Sequence, residues 1–280
     1  MGNRRLGARR LEAVLDNLLD HGQINGVNGS QFVLCDPDRY HLEEYFSKRP
    51  GLNGSVGIAF NEHFEILGTN ASNDDATFSS TVAGIQLQTD GADNDSVIVL
   101  PHLDANQTAW TGVKHGTENQ VQWECMIRTD ASIADMCFYA GLKLTNTEAY
   151  ATDDNQVYFL YDSTDDSGAL TSNGNLHAVY SVGGTDYISD LGITVAAATN
   201  YRLAITIDSD RKASVWVNGV QYSLTEATTA GGVDTGKGSG KSKALTDDVD
   251  LIPYVGVVAR TGTAKTLHLS YEKISRIIFE

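Results

Sequence analysis

An alternating segment in the C-terminal half places the strongest limit on how this chain can fold. From Asn200 to Tyr222 the sequence reads NYRLAITIDSDRKASVWVNGVQY, with apolar residues at every second position on both sides of a polar turn at residues 208–211. A period of two residues is that of a β-strand with one buried face. Asn218-Gly219 supplies the two left-handed positions of a tight hairpin turn. The segment predicts a three-stranded antiparallel meander.

Segments of the same kind recur from about Phe64 to the C-terminus, without a helical pattern between them. Glycine is abundant, with 27 residues, and proline is rare, with four, as suits short strands joined by tight turns. We expect a mostly β protein whose residues 61–280 form an antiparallel two-sheet jelly-roll sandwich. The clearest strand, QVQWECMIR, predicts inward Val121, Trp123, Cys125 and Ile127 and outward Gln122, Glu124 and Arg128.

The first 22 residues differ from the rest because they are basic and have a helical period. Four arginines precede the first acid, Glu12, and apolar residues then repeat at helical spacing until Gly22. A helix with one apolar stripe must bury it, either on its own domain or on another chain. The second alternative predicts an N-terminal helical docking arm with contact residues Arg4, Arg5, Arg9, Arg10, Leu11, Val14, Leu15, Leu18 and Leu19.

Residues 23–60 combine glycine-rich connectors with one helical candidate. Asp36 can cap this helix, Pro37 can occupy its first turn, and apolar side chains follow as far as Phe46. We predict an extended linker that contains a short helix. The chain is then divided into an arm (1–22), a linker (23–60) and a sandwich (61–280).

Composition excludes several classes of partner. A net charge of −16 repels phosphate and argues against nucleic-acid binding by the body. No apolar segment is long enough to span a membrane. The three cysteines have no CxxC spacing, and Cys125 lies on the apolar phase of its strand, so we expect buried free thiols and synthesis in a reducing cytoplasm.

Motifs for catalysis and metal binding are incomplete. GKGSGKS lacks the first glycine of a phosphate-binding loop, because that position is Thr235. The histidines stand apart, and the acidic clusters lack the spacing of a calcium loop. Glycoside hydrolysis would need two facing carboxylates, and Glu124 with Glu118 or Glu148 is the best pair. We predict that the chain is not an enzyme and has no catalytic, cofactor-binding or metal-binding residue.

One aromatic residue stands out among the strands. Trp216 is out of phase with Val215 and Val217, so it points to the opposite face of its strand. It either packs against a second layer or presents a surface on which a sugar ring could stack. Trp216 and Tyr222 together form a candidate glycan platform.

The late strands resemble a known fold. YRLAITIDSDRKASVWVNGVQY, LIPYVGVVA and KTLHLSYEKISRI are similar, in this order, to strands of the concanavalin A-like, laminin-G-like jelly roll. The resemblance covers roughly the C-terminal half of the chain. That superfamily includes lectins, bacterial endoglucanases and structural modules, so the resemblance implies a fold and not one activity. The endoglucanase pattern E-x-D-x-x-E is absent.

The leader carries a second resemblance. NRRLGARRLEAVLDNL and HLEEYFSKRPGLNG resemble N-terminal segments of virion structural proteins of marine tailed phages. This implies a capsid decoration protein or head fibre, located in the virion, whose partners are the major capsid protein or other virion subunits. It also implies a homo-oligomer, with a trimer as the common symmetry of such proteins. A receptor- or glycan-binding module of a tail or head fibre is the alternative, and a polysaccharide-cleaving enzyme is the third.

Overall fold

The alternating segments form strands, and these strands build two eight-stranded sheets that pack face to face. The computed structural model describes residues 39–47, 52–53, 64–101, 114–145, 153–165, 170, 172–224 and 243–278. In chain order the strands are β1 Arg39–Glu44, β2 Leu52–Asn53, β3 Phe64–Leu67, β4 Ala76–Phe78, β5 Ile85–Gln88, β6 Ser96–Leu100, β7 Gln122–Arg128, β8 Met136–Lys143, β9 Gln156–Asp162, β10 Asn175–Val182, β11 Thr185–Thr194, β12 Asn200–Ile207, β13 Ala213–Val217, β14 Val220–Tyr222, β15 Ile252–Ala259 and β16 Thr266–Ile277.

The order of the strands confirms the predicted sandwich. Sheet A runs β14-β13-β12-β7-β16-β5-β4, and β1 also pairs with β16. Sheet B runs β11-β10-β9-β8-β15-β6-β3-β2. Among the described strands, all pairings are antiparallel except the short pairing of β2 with β3. No helix in the described ranges is long and apolar enough to cross a membrane.

The predicted meander is confirmed as β12, β13 and β14. The turn between the last two strands has φ values of 52° at Asn218 and 81° at Gly219, both left-handed, as the Asn-Gly sequence predicts. β11 was not predicted, because its sequence TDYISDLGIT is polar and interrupted by glycine. It lies at the edge of sheet B, where only one neighbouring strand constrains it.

The short helix predicted in the linker is wrong, because Arg39–Glu44 is strand β1. All six of its residues pair in register with β16, from Arg39 opposite Ile277 to Glu44 opposite Glu272. The sheet therefore satisfies the backbone of this segment and overrides its local helical preference. Phe46, which follows β1, is 1 % exposed in the core. The sandwich thus begins upstream of residue 61, whereas the arm and residues 23–38 lie outside the described residues.

The clearest predicted strand, β7, has the expected faces. Val121, Trp123, Cys125 and Ile127 are all buried between the sheets. Cys125 and Cys137 are buried free thiols, as predicted, whereas Cys35 lies outside the described part.

A β-bulge in β16 sets which side chains enter the core. Leu269 is opposite Ile127 in β7, but the next pair is Tyr271 opposite Met126, so Ser270 is an additional residue. The bulge needs a glycine at position 84, directly before β5, because a Cβ there would lie 2.7 Å from Cα of Ser270. As a result Tyr271 points outward and Glu272 points inward.

Glu272 is a carboxylate in the apolar core. It is 1 % exposed, and its Oε1 accepts a hydrogen bond of 2.9 Å from the Trp123 indole Nε1. Across the β1–β16 seam it is paired with Glu44, which accepts from the backbone N–H of Phe46. Burial raises the pKa of Glu272 to about 7, and the bond from Trp123 only partly opposes this rise.

Replacing Trp123 with alanine should therefore destabilise the fold strongly. Loss of a buried indole costs about 3–5 kcal/mol, and the substitution also leaves Glu272 without its indole donor. The free energy of unfolding from chemical denaturation measures the effect. Trp216→Ala, on the outer face, is the matched control and should cost clearly less. A loss below about 0.5 kcal/mol for Trp123→Ala, the range of surface substitutions, would contradict the assigned faces.

Glu272 should also make stability depend on pH. Its folded pKa lies above its unfolded value, so the folded state binds the proton more tightly. The free energy of unfolding should fall by about 3 kcal/mol from this group as the pH rises from 4.5 to 7. Glu272→Gln, which keeps the acceptor for Trp123, should remove that slope in denaturation curves recorded across this range. Asp93→Asn, at an exposed site, should keep it. An unchanged slope in Glu272→Gln would refute the assignment.

Candidate ligand-binding face

The outer face of sheet A carries the polar and aromatic side chains that strand alternation directs away from the core. The register aligns one residue from each of six neighbouring strands into a single row across the sheet. From β14 to β1 this row consists of Gln221, Trp216, Ala204, Glu124, Lys273 and Glu43. We call this row and the outward residues beside it the outer face of sheet A.

Trp216 lies on this face and is partly exposed. Its neighbours in the row are Gln221 on β14 and Ala204 on β12. Tyr222 is paired with Val215 and packs against the core. The residue of β14 opposite Trp216 is Gln221, and the next residue, Tyr222, points to the other face of the sheet. The structure therefore places the two predicted platform residues on opposite faces of sheet A. Tyr222 cannot share a platform with Trp216.

Glu124 occupies the centre of the row and is 2 % exposed. The Tyr271 hydroxyl donates a 2.6 Å hydrogen bond to Oε1 of Glu124. Burial raises the pKa of Glu124, while this hydrogen bond and the charges of Arg202 and Lys273 oppose the rise. Tyr271 reaches Glu124 only because the β16 bulge turns it outward. Periodicity in the sequence could not show this contact, since a bulge has no apolar signature.

Two acceptors beside this contact have no donor. Oε2 of Glu124 and Oε1 of Gln122 are buried atoms without a hydrogen-bond partner. Both residues point outward from β7 and lie two positions apart, about 7 Å along the strand. A buried acceptor without a donor costs about 1–3 kcal/mol. A molecule that presents hydrogen-bond donors to this face would therefore complement the two unpaired acceptors.

A second exposed aromatic side chain lies at the far end of the row. Tyr45, which follows β1, is 50 % exposed, and its hydroxyl donates a 2.9 Å hydrogen bond to Glu43. The Lys273 ammonium lies 5.0 Å from the Tyr45 ring centroid, 5.2 Å from that of Tyr271 and 3.6 Å from Oε1 of Glu43. The strands that carry Trp216 and Tyr45 are four sheet spacings apart, about 19 Å. The sequence analysis missed Tyr45 because it assigned that segment to a helix.

The acidic clusters that were considered as calcium sites instead stabilise turns and strand ends. Their carboxylates bind side chains and backbone N–H groups, and no three histidine, cysteine or acidic side chains in the described ranges come together as a metal site. The pairs are Asp95 with Asn70 and the Ala92 N–H, Asp153 with the N–H groups of Leu144 and Thr145, Asp162 with Arg260, Asp247 with Arg211, and Asp250 with Lys114.

The carboxylate pair considered for glycoside hydrolysis is not brought into one row. Glu118 lies in the 3-10 turn Thr117–Asn119 before β7, whereas Glu124 is at the centre of the sheet face. Glu148, residues 225–242 with the GKGSGKS motif, and all the arm residues from Arg4 to Leu19 fall outside the described residues.

The outer face of sheet B is different, because its side chains are buried. It holds a tyrosine cluster in which the ring of Tyr254 lies 5.6 Å from Tyr139 and 6.1 Å from Tyr158. The Tyr139 ring passes so close to Gly256 that a Cβ there would lie 2.4 Å from a ring carbon. All three tyrosines are at most 2 % exposed. Within the part of the chain that the structure describes, this tyrosine cluster is closed to a ligand from solvent.

Comparison with known proteins supports the fold. No protein-family model and no curated protein sequence matches the chain. Solved structures do match over most of its length. A protein of unknown function from Shewanella oneidensis MR-1 superposes with a TM-score of 0.51 at 10 % identity, over 85 % of this chain and 87 % of that one. A pseudo β-1,3-glucanase and immunostimulatory antigen of Mycobacterium tuberculosis gives 0.50 at 9 % identity, over 83 % and 97 %.

The sandwich is an antiparallel two-sheet jelly roll. Peanut lectin also matches, with a TM-score of 0.49 at 13 % identity, over 86 % of this chain and 99 % of the lectin. At such identities the similarity shows the fold alone. The function has to be argued from the outer face of sheet A and from the arm.

Proposed function

We propose that this protein is a virion component whose jelly roll binds a glycan through the outer face of sheet A. The observation that carries the glycan proposal is the combination of partly exposed Trp216 with two acceptors, on Glu124 and Gln122, that have no donor. A sugar ring has an apolar face that stacks on an indole and hydroxyl groups that donate hydrogen bonds. The same face therefore offers both of the interactions that a sugar requires.

The two acceptors are buried without a ligand, so binding must move the side chains around them. A hydroxyl that reaches Oε2 of Glu124 removes the cost of an unpaired acceptor and forms a hydrogen bond to a carboxylate. Hydrogen bonds to charged groups contribute about 1.5–3 kcal/mol. Tyr45, about 19 Å from Trp216 across the strands, offers a second stacking surface for a longer oligosaccharide.

Trp216→Ala should weaken glycan binding about two- to tenfold, because a stacked aromatic contact contributes about 0.5–1.5 kcal/mol. A glycan array identifies the ligand, and titration calorimetry then compares the variants. Tyr222→Phe is the control, since Tyr222 lies on the opposite face of the same hairpin, and it should bind as the unmodified protein does. If no glycan binds, or if Trp216→Ala binds normally, this face is not the site.

A polysaccharide-cleaving activity is the alternative for the same fold. Release of reducing sugar from the glycans that bind would identify it, because a binding module leaves them intact.

The proposal of a virion component is supported by the leader sequence and by its connection to the sandwich. The leader resembles phage virion segments, and its basic, apolar-striped arm is suited to docking on the major capsid protein or another virion subunit. β1 then joins the chain to β16 by six residue pairs in register. Arg39 adds a 3.2 Å hydrogen bond from its Nε to Ser275. A docked arm would therefore be tethered to the sheet through a paired strand, in a homo-oligomer for which a trimer is the first symmetry to test.

Docking by the arm should depend mainly on its leucines. Changing both Leu15 and Leu18 to Asp should abolish incorporation into particles, because the stripe can then no longer be buried. Changing both Arg4 and Arg5 to Gln should weaken docking modestly and mostly at low salt, since exposed ion pairs are screened. The copy number per purified particle measures both effects. Normal incorporation of the leucine variant would exclude docking by the arm, and a lower melting temperature of the free protein would instead indicate a helix packed on its own domain.

A further inference from the structure

A serine and a histidine are hydrogen-bonded at one end of the outer face of sheet A. His268 lies between Leu267 and Leu269, which are both in the core, so its ring points outward. Ser79 directly follows β4 and closes the β4–β5 hairpin by a 3.0 Å hydrogen bond from its backbone N–H to the carbonyl of Gly84. Oγ of Ser79 lies 2.8 Å from Nδ1 of His268. The sequence analysis did not find this pair, because 189 positions separate its two members.

The other hydrogen bonds of Ser79 determine where its proton points. Oγ accepts from the backbone N–H groups of Thr81 and Val82, each at 3.1 Å. A hydroxyl group has two lone pairs and one proton, so after these two bonds Oγ can only donate to His268. Nδ1 of His268 is therefore the acceptor, and the neutral ring carries its proton on Nε2. An imidazole in this position is a general base for a hydroxyl nucleophile.

Two charged side chains lie beside this pair. Arg128 is opposite His268 in the register of β7 and β16, and it also points outward, since Ile127 is in the core. No hydrogen bond or ion pair joins the Arg128 guanidinium to another residue of the described ranges. Burial lowers the pKa of His268, the charge of Arg128 lowers it further, and the charge of Asp130 opposes the shift. His268 is therefore neutral at pH 7, with an available cation next to it.

We propose that Ser79 and His268 form an acyl-transfer site that cleaves esters of short carboxylic acids. The O–H bond of Ser79 breaks as its proton passes to Nδ1 of His268, and the electron pair left on Oγ attacks the carbonyl carbon of the ester. The bond from that carbon to the alcohol oxygen then breaks, and the alcohol leaves with the proton from His268. Water attacks the acyl-serine in the same way, which releases the acid and restores Ser79.

The surroundings of Ser79 favour this reaction. The N–H groups of Thr81 and Val82 stabilise the negative charge that develops on Oγ as the proton leaves. Arg128, beside His268 in the register, is placed to stabilise the negative charge on the carbonyl oxygen. Ser79 is partly exposed, whereas His268 is only 8 % exposed. The nucleophile is therefore accessible while its base is shielded, and the limited room beside the base favours a short acyl group.

This site is separate from the unpaired acceptors on β7. Arg128 is four residues along the strand from Glu124, which corresponds to about 13 Å. The inference does not rest on glycan binding, since ester cleavage can be tested with a substrate that contains no sugar. Loss of either property would leave the other intact.

The test treats the purified full chain with a fluorophosphonate, whose serine adduct water does not release, and with p-nitrophenyl acetate. Peptide mass spectrometry should place the fluorophosphonate adduct on Ser79. The labelled protein should no longer accelerate the release of nitrophenol, which absorbance measures. Labelling should be fastest above pH 6.5 and slow below it, as His268 gains a proton. An unlabelled Ser79, an undiminished release after labelling, or a labelling rate that acid pH leaves unchanged overturns the proposal.

Matched variants show whether His268 activates the serine. Ser79→Ala should abolish both labelling and hydrolysis, whereas Ser80→Ala, at the exposed neighbour in the same hairpin, should keep both. His268→Gln should slow both by at least about a hundredfold, because general base catalysis contributes about 10²–10⁴-fold. Equal labelling rates in His268→Gln and the unmodified protein overturn the proposal. The adduct site and the pH profile are read in the unmodified protein, so poor folding of a variant does not leave the proposal untested.

Discussion

The additional residue in β16 determines the chemistry on both sides of sheet A. If Ser270 were paired as a regular residue of the ladder, the alternation that directs Leu269 into the core would also direct Tyr271 there and send Glu272 to solvent. The bulge reverses both positions. Tyr271 consequently reaches Glu124 on the outer face, and Glu272 enters the core beside Trp123. A single unpaired residue, accommodated by Gly84 directly before β5, thus creates the polar centre of the candidate site and a buried carboxylate behind it.

Strand periodicity and strand pairing together explain which parts of the structure the sequence could predict. A period of two residues suffices to place strands and assign faces, so the two-sheet sandwich, the meander and the inward side of β7 were predicted correctly. Periodicity fails where pairing overrides local preference, as in Arg39–Glu44, whose helical pattern was outweighed by six pairs with β16. It fails again at edges such as β11. Of the candidate site, the sequence predicted Trp216 and the outward positions of Gln122 and Glu124. It did not predict Tyr45 and Tyr271, which reach the face through β1 and the bulge.

The unpaired polar atoms of the two sheets have different meanings because their surroundings differ. On sheet A, the acceptors of Glu124 and Gln122 lie next to partly exposed aromatic side chains, so a molecule from solvent can supply the missing donors. On sheet B, the amide of Gln156 is itself fully buried, as are the tyrosines of that face.

The charge of the protein affects which class of glycan would bind best to the outer face of sheet A. The chain carries a net charge of −16, and the row itself contains Glu124 and Glu43 with Lys273 between them. Lys273 is already engaged by Glu43 and by two tyrosine rings, so a carboxylate or sulfate on a sugar would have to compete for it while approaching an acidic body. Hydroxyl groups meet no such opposition, because the unpaired atoms on β7 are acceptors. Among glycans, a neutral, hydroxyl-rich one therefore fits this face better than an anionic one, and like-charge repulsion at low salt would enlarge the difference.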